Sequence, residues 1–200
     1  MRIRLTKISD AEHTLALVRH DGMSDSLTLA SRSFLWHDLL HYAVETNAGL
    51  YQSFWGQLAG GRTLADLHDA IHDSIHDTMR EGAGAAKVGA SQAAVTEAVV
   101  GVLTNVVRQR VAPGAAIAGL TRLFEAQQRE LPVWLSPEFV ARVGEHMRKL
   151  MGQWRAVPYG GDMQLVFPAA TTDSGEGQAR PTVDQQARPA KSPPRRSGRA

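Results

Sequence analysis

The first thirty residues alternate apolar and polar side chains in three short runs, and this alternation most constrains the fold. Leucine or isoleucine occupies positions 3 and 5, then 15 and 17, then 27 and 29. Side chains two residues apart lie on the same face of a β-strand, so each run has one apolar face. Turn residues separate the runs at 9–12 and at Asp21-Gly22. The pattern therefore predicts an antiparallel β-meander that must bury one face.

A fourth alternating run closes the predicted fold at its other end. Met163, Leu165 and Phe167 alternate after Pro158 and a pair of glycines. Because an isolated strand is unstable, this run is expected to join the meander. The intervening residues have helical periodicity and predict about five helices, which cover roughly 34–47, 63–80, 92–110, 117–124 and 137–154. We therefore expect an α+β fold with a small antiparallel sheet packed against these helices.

The first predicted helix has apolar residues around nearly its whole circumference. Ser31 or Ser33 can cap it, and Asn47 or Gly49 can end it. A helix that is apolar all round is usually buried. We expect it to lie across the apolar face of the sheet.

Composition limits the class of protein. The hydrophobic content of 43% is enough for one globular domain, predicted over 1–169, whereas 170–200 is rich in small, polar, Pro and Arg residues and is predicted to be disordered. The chain has no cysteine, which excludes disulfides, thiolate zinc sites and cysteine nucleophiles. No segment is long and apolar enough for a membrane span or a signal peptide, so we expect a cytoplasmic protein without membrane contact.

The basic charge lies in the predicted tail. Residues 171–200 contain six basic and three acidic side chains, which leaves sixteen basic and seventeen acidic ones in the first 170 residues. A nearly neutral domain has no overall attraction for a phosphate backbone. We expect no nucleic-acid binding except a weak, salt-sensitive contact through the tail.

A histidine-aspartate pair is followed three residues later by a second histidine at three places in the chain. On a helix the two histidines of such an HDxxH unit are one turn apart and share a face, so they can bind one metal ion. Zinc is the typical ion for such ligands. The units are His37-Asp38 with His41, His68-Asp69 with His72, and His72-Asp73 with His76.

Helix geometry limits each unit to two ligands. Residues eight apart are separated by about 12 Å along the helix, too far for one ion with bonds of about 2 Å. The candidate metal ligands are therefore the pairs His37 with His41 and His68 with His72, completed by a side chain from elsewhere, for which Glu45 and His146 are candidates. Asp38 and Glu45 are the candidate catalytic acid/base groups. The alternative is that the first pair is buried and hydrogen-bonded in the core, and that the second lies on a solvated helix flank.

Several families resemble parts of the chain. The HDLLH segment is similar to the HExxH motif of zinc peptidases, with Asp38 in place of the catalytic glutamate. It also resembles the start of the zinc motif in a family of ubiquinone-biosynthesis proteins, in which a glutamate stands at the position of Ser53. RSFLWHDLLHYAVE and the following FWGQLAGG resemble a set of small, uncharacterised bacterial proteins that begin with a meander. This last resemblance implies the domain but brings no established activity.

Two functional hypotheses follow from the sequence. The first is a small, non-catalytic adaptor or regulatory protein without a cofactor that acts by contact with a protein partner. The alternative is a hydrolytic, metal-dependent enzyme that uses zinc or a similar divalent ion on the first helix. Metal content after purification without an affinity tag separates them.

Overall fold

Four antiparallel strands form one sheet in the computed structural model, which describes residues 1–67 and 91–169. The strands are β1 (Arg2–Lys7), β2 (Glu12–Val18), β3 (Ser24–Ala30) and β4 (Asp162–Val166), in the order β3-β2-β1-β4. The predicted meander and its closure by a C-terminal strand are therefore confirmed.

The strand register places the alternating apolar residues on one face. Ile3 pairs with Leu17 on one side and with Leu165 on the other, and all three are buried. Leu5 lies in the same way between Leu15 and Met163. The period of two seen in the sequence thus defines the face of the sheet that contributes to the core.

Five helices are described completely. They are α1 (Trp36–Ala48), α2 (Phe54–Ala59), α3 (Gln92–Gln109), α4 (Pro113–Ala126) and α5 (Pro137–Ala156). A π-helical turn, Ser31–Leu35, leads into α1. The predicted α+β class is confirmed, but α2 was not predicted, because six residues are too few to show a helical period.

Local signals explain the ends of several helices. The Ser136 hydroxyl accepts a hydrogen bond from the backbone N–H of Phe139, with Pro137 as the first residue of α5, as expected from the sequence. Ser91 caps α3 in the same way. Helix α1 ends at Ala48, and the next residue, Gly49, has a φ of 66° in the left-handed region that glycine adopts without strain.

Helix α1 is the buried centre of the helical layer. Every residue from Asp38 to Glu45 is buried, and the helix packs against α3 and α5. The prediction that an all-round apolar helix would be buried is therefore confirmed. Three of these buried residues are polar or charged, namely Asp38, His41 and Glu45, and they form part of the site below.

Part of the predicted second helix lies outside the described residues. Residues 64–67 are helical, and the Asp25 carboxylate accepts a hydrogen bond from the backbone N–H of Leu64. The predictions for His68, His72 and the 170–200 tail fall on residues that the structure does not describe. Within 1–67 and 91–169, none of the helices has the length and apolar character needed to cross a membrane.

Candidate metal centre

Helix α1 presents His37 and His41 side by side. The two residues are one turn apart, and their ring centroids are separated by 4.6 Å. The His41 side chain is almost completely buried, with 2% exposed, whereas that of His37 is 18% exposed. The pair therefore extends from the core toward the protein surface.

A third side chain, Glu97 of α3, contacts both imidazoles. Its Oε1 lies 3.1 Å from His37 Nε2, and its Oε2 lies 2.9 Å from His41 Nε2. One ligand atom from each of the three side chains lies within 4.8 Å of the other two. Tetrahedral ligands at zinc bond lengths are roughly 3.3 Å apart. Small side-chain movements would therefore suffice to hold an ion between these atoms.

Carboxylates also lie behind the two rings. Glu45 Oε1 is 3.1 Å from His41 Nδ1, and Asp38 Oδ1 is 3.6 Å from His37 Nδ1. A carboxylate that accepts the Nδ1 proton fixes the ring and leaves the Nε2 lone pair for a ligand, as is common among metal-bound histidines. Glu45 holds the His41 ring in this way, and both imidazoles direct Nε2 toward Glu97.

The N-terminus of α2 holds Glu45 in place. Glu45 Oε2 accepts hydrogen bonds from the backbone N–H groups of Trp55, at 2.9 Å, and Gly56, at 3.3 Å. A side chain at position 56 would overlap the backbone carbonyl of Tyr51, so this close approach requires glycine. The short helix that the sequence did not predict therefore completes the support behind His41.

Polar contacts set the position of α3 and hence of Glu97. The hydroxyls of Ser53 and Thr96 lie 2.8 Å apart, and both residues are buried. The Gln92 side chain accepts a hydrogen bond of 2.7 Å from the backbone N–H of Gln52. Because Thr96 precedes Glu97, these contacts fix the helix turn that carries the third candidate ligand.

The electrostatics of the cluster favour charged imidazoles when no ion is bound. Burial alone would lower the pKa of His41, but hydrogen bonds with Glu45 and Glu97 outweigh it and raise the pKa to about 10. Burial also opposes the raised pKa of His37, which the neighbouring carboxylates of Asp38 and Glu97 produce. The two imidazoles hold the pKa of Glu97 well below its usual value despite burial. Burial raises the pKa of Glu45 above its usual value, against the effect of His41.

The structure brings together some of the predicted residues and separates others. His37 and His41 lie together, with Asp38 and Glu45 on the Nδ1 sides of their rings, away from the Nε2 atoms. His146 lies elsewhere, with Nδ1 3.0 Å from the Asn47 side-chain nitrogen. His68 and His72 lie outside the described residues.

Sequence reasoning missed Glu97. The available signal was that Glu97 is the one acidic residue in the predicted third helix, where alanine and valine surround it. An acid in such a setting needs a partner, because burial of an unpaired carboxylate is costly. Its distance of 56 residues from His41 hid the connection.

Comparison with known proteins adds no assignment. No protein family, curated protein or solved structure was found that significantly matches this chain.

Proposed function

We propose that the protein binds a divalent transition-metal ion of the zinc type through His37, His41 and Glu97, and that the ion serves hydrolytic chemistry. The observation that carries the proposal is that both Nε2 atoms converge on one carboxylate while both Nδ1 atoms face other carboxylates. Two histidines with one glutamate form a known ligand set for catalytic zinc.

The charge of the cluster supports a cation. Three carboxylates, from Asp38, Glu45 and Glu97, surround two imidazoles. Protonation of both rings places two positive charges among these groups. A divalent ion bound to neutral rings supplies the same two positive charges at a single point, between the three candidate ligands.

The exposure of the cluster supports a reactive rather than a closed structural site. The Glu97 side chain is 43% exposed and the His37 side chain 18%, so one side of the cluster faces solvent. Structural zinc sites use four protein ligands, whereas catalytic sites use three and leave a position for water. Bound zinc lowers the pKa of such a water to about 7, which provides a hydroxide nucleophile near neutral pH.

Asp38 and Glu45 take positioning roles in this proposal. Glu45 is fully buried, and its two oxygens are occupied by His41 and by the start of α2. Asp38 is equally buried and close to the far nitrogen of His37. Glu45 is thus suited to hold the His41 ring in place, and Asp38 lies beside the His37 ring at 3.6 Å, beyond hydrogen-bond distance. The acid/base roles expected from the sequence are not needed for the nucleophile.

Metal analysis tests the proposal directly. We expect near-stoichiometric zinc, iron or cobalt in protein purified without an affinity tag, and slow hydrolysis of p-nitrophenyl esters that a chelator abolishes. Glu97→Gln should lose both properties, whereas Glu145→Gln, which changes an exposed acid of α5, should lose neither. Metal-free wild type that takes up no ion on reconstitution would refute the proposal.

A second candidate is a small cytoplasmic adaptor or regulatory protein that acts by protein-protein contact. The observation that favours it is the outer edge of β4, which borders a cleft lined by polar side chains. This candidate needs no metal and is tested separately below.

A further inference from the structure

Strand β4 is an outer strand of the sheet, and the direction of its backbone groups follows from its pairing with β1. Met1 and Phe167 exchange hydrogen bonds, from Phe167 N–H to Met1 C=O at 2.9 Å and from the Met1 amino group to Phe167 C=O at 2.9 Å. At the other end, Lys7 N–H donates to Gly161 C=O at 3.0 Å. The backbone N–H and C=O groups of the odd-numbered residues in this segment therefore point toward β1.

The even-numbered residues of β4 must then direct their backbone groups away from the sheet. In an antiparallel pair, hydrogen-bonded and non-hydrogen-bonded positions alternate. Asp162, Gln164 and Val166 consequently present N–H and C=O groups to the open edge. The Tyr42 hydroxyl confirms this direction, because it donates to Val166 C=O at 3.0 Å from the helical side.

A cleft of about 330 Å³ borders this edge. Its walls are the edge residues Gln164 and Val166 and side chains of α1 and α5, including Tyr42, His146, Lys149 and Gln153. Among residues 1–67 and 91–169, no strand pairs with this edge. An unpaired strand edge beside a cleft is the arrangement used when an extended peptide adds a strand to a sheet. The Tyr42 hydroxyl already occupies the Val166 carbonyl. The groups left to pair with a peptide are the Val166 N–H and the backbone N–H and C=O groups of Gln164 and Asp162.

Two hydrogen-bond donors, His146 and Lys149, lie on the helical wall of the cleft. The Asn47 side-chain amide donates to His146 Nδ1 at 3.0 Å, so the ring proton resides on Nε2. Burial and the nearby Lys149 lower the pKa of His146, which favours the neutral ring. Lys149 is exposed and has no carboxylate within 4 Å among the residues that the structure describes.

Strand β4 carries one acidic side chain, that of Asp162, and this side chain contacts β1 and does not line the cleft. The Asp162 carboxylate accepts a hydrogen bond from the Thr6 hydroxyl at 2.6 Å and lies 3.8 Å from the Arg4 guanidinium. Both partners belong to β1. The cleft is thus left with a lysine, a neutral histidine donor and amide groups, which complement a negative charge.

We propose that the edge of β4 binds an extended, acidic segment of a partner protein, which pairs with Gln164 and places a carboxylate near Lys149. Backbone pairing provides the binding and Lys149 provides the preference for acid. The surface gives the adaptor hypothesis a contact site, and the inference does not depend on the metal centre.

Two short peptides of opposite charge test this surface. The probes are the acetylated and amidated peptides EVEVE and KVKVK, titrated into the full-length ¹⁵N-labelled protein at low ionic strength. We expect EVEVE to shift the backbone amide signals of Gln164 and Val166 and to bind about fivefold or more tightly than KVKVK. The preference should weaken in 0.5 M salt (an assay condition), because an exposed charge pair is screened.

Three variants separate backbone pairing from charge. Lys149→Glu should remove or reverse the preference for EVEVE. Arg148→Glu is the matched control, because it makes the same change in net charge on the next residue but lines a different cleft between α3 and α5, so the preference should persist. Gln164→Pro removes an edge-facing N–H without removing a bond to β1, and should weaken both peptides.

Several results would overturn the inference. These are an absence of amide shifts at millimolar EVEVE, equal shifts along the β3 edge, or a charge preference that survives Lys149→Glu. Slow hydrogen exchange at Gln164 in the peptide-free protein would show that another part of the chain already covers the edge, and would exclude a partner. None of these results affects the metal analysis of Glu97, so the two proposals fail independently.

Discussion

Zinc should stabilise the wild-type protein but not Glu97→Gln. A ligand that binds only the folded state at 100 times its Kd adds about 2.7 kcal/mol to the free energy of unfolding. For a chain of 200 residues, each kcal/mol raises Tm by about 2–4 °C. Zinc at that excess should therefore raise the Tm of the wild type by about 5–11 °C, measured by differential scanning calorimetry against a chelator-treated sample.

Loss of the Glu97 carboxylate should nearly abolish this shift. If the substitution weakens zinc binding 100-fold, the same zinc concentration is only about equal to Kd, and the stabilisation falls to about 0.4 kcal/mol, or about 1–2 °C. Without metal, Glu97→Gln should cost only about 0–1 kcal/mol, because its side chain is 43% exposed and its ion pairs are screened by solvent. The variant thus separates ligand loss from simple destabilisation.

Two controls isolate the site. Glu145→Gln should retain the full zinc shift. The double variant His68→Asn with His72→Asn tests the second pair predicted from the sequence, and it should also retain the shift if His37, His41 and Glu97 hold the ion. A wild-type Tm that does not respond to zinc, cobalt or iron would refute the metal-centre reasoning and leave the cluster as an ion-pair network between α1 and α3.

Further predictions concern the supports of the site and the ends of the chain. Glu45→Ala should lower the free energy of unfolding by about 3–5 kcal/mol in urea titrations, because it leaves buried donors and the His41 ring without their acceptor, and Glu45→Gln should cost much less. In metal-free protein, the raised pKa of His41 stabilises the folded state. This contribution is complete below about pH 6.5, the pKa of the unfolded state, and is lost as pH rises toward about 10. The urea midpoint should therefore fall over that range in wild type, and less in His41→Gln. Gly56→Ala should cost about 1–3 kcal/mol or more through overlap with Tyr51, and a cost near zero would contradict the close approach. Truncation after residue 170 should leave Tm unchanged, whereas truncation after 159, which removes β4, should cause early melting or aggregation.

The secondary structure was largely predictable because its signals are local. The alternation at Ile3 and Leu5, and again at Met163 and Leu165, needs only neighbouring residues to specify a strand with one apolar face. Ser136 and Pro137 specified the start of α5 in the same way. Helix α2 escaped prediction because six residues give less than two helical turns, too few to establish a period.

The sequence by itself determined that His37 and His41 share a face of one helix, since residues four apart are neighbours on any α-helix. Only the tertiary structure decided that Glu97 meets both rings, because that contact depends on how α3 packs against α1 across 56 residues of chain. The tertiary structure also decided that Asp38 and Glu45 lie behind the rings. Helical periodicity fixes which side chains share a face, but the partner of that face is set by the packing of distant segments, which no local pattern encodes.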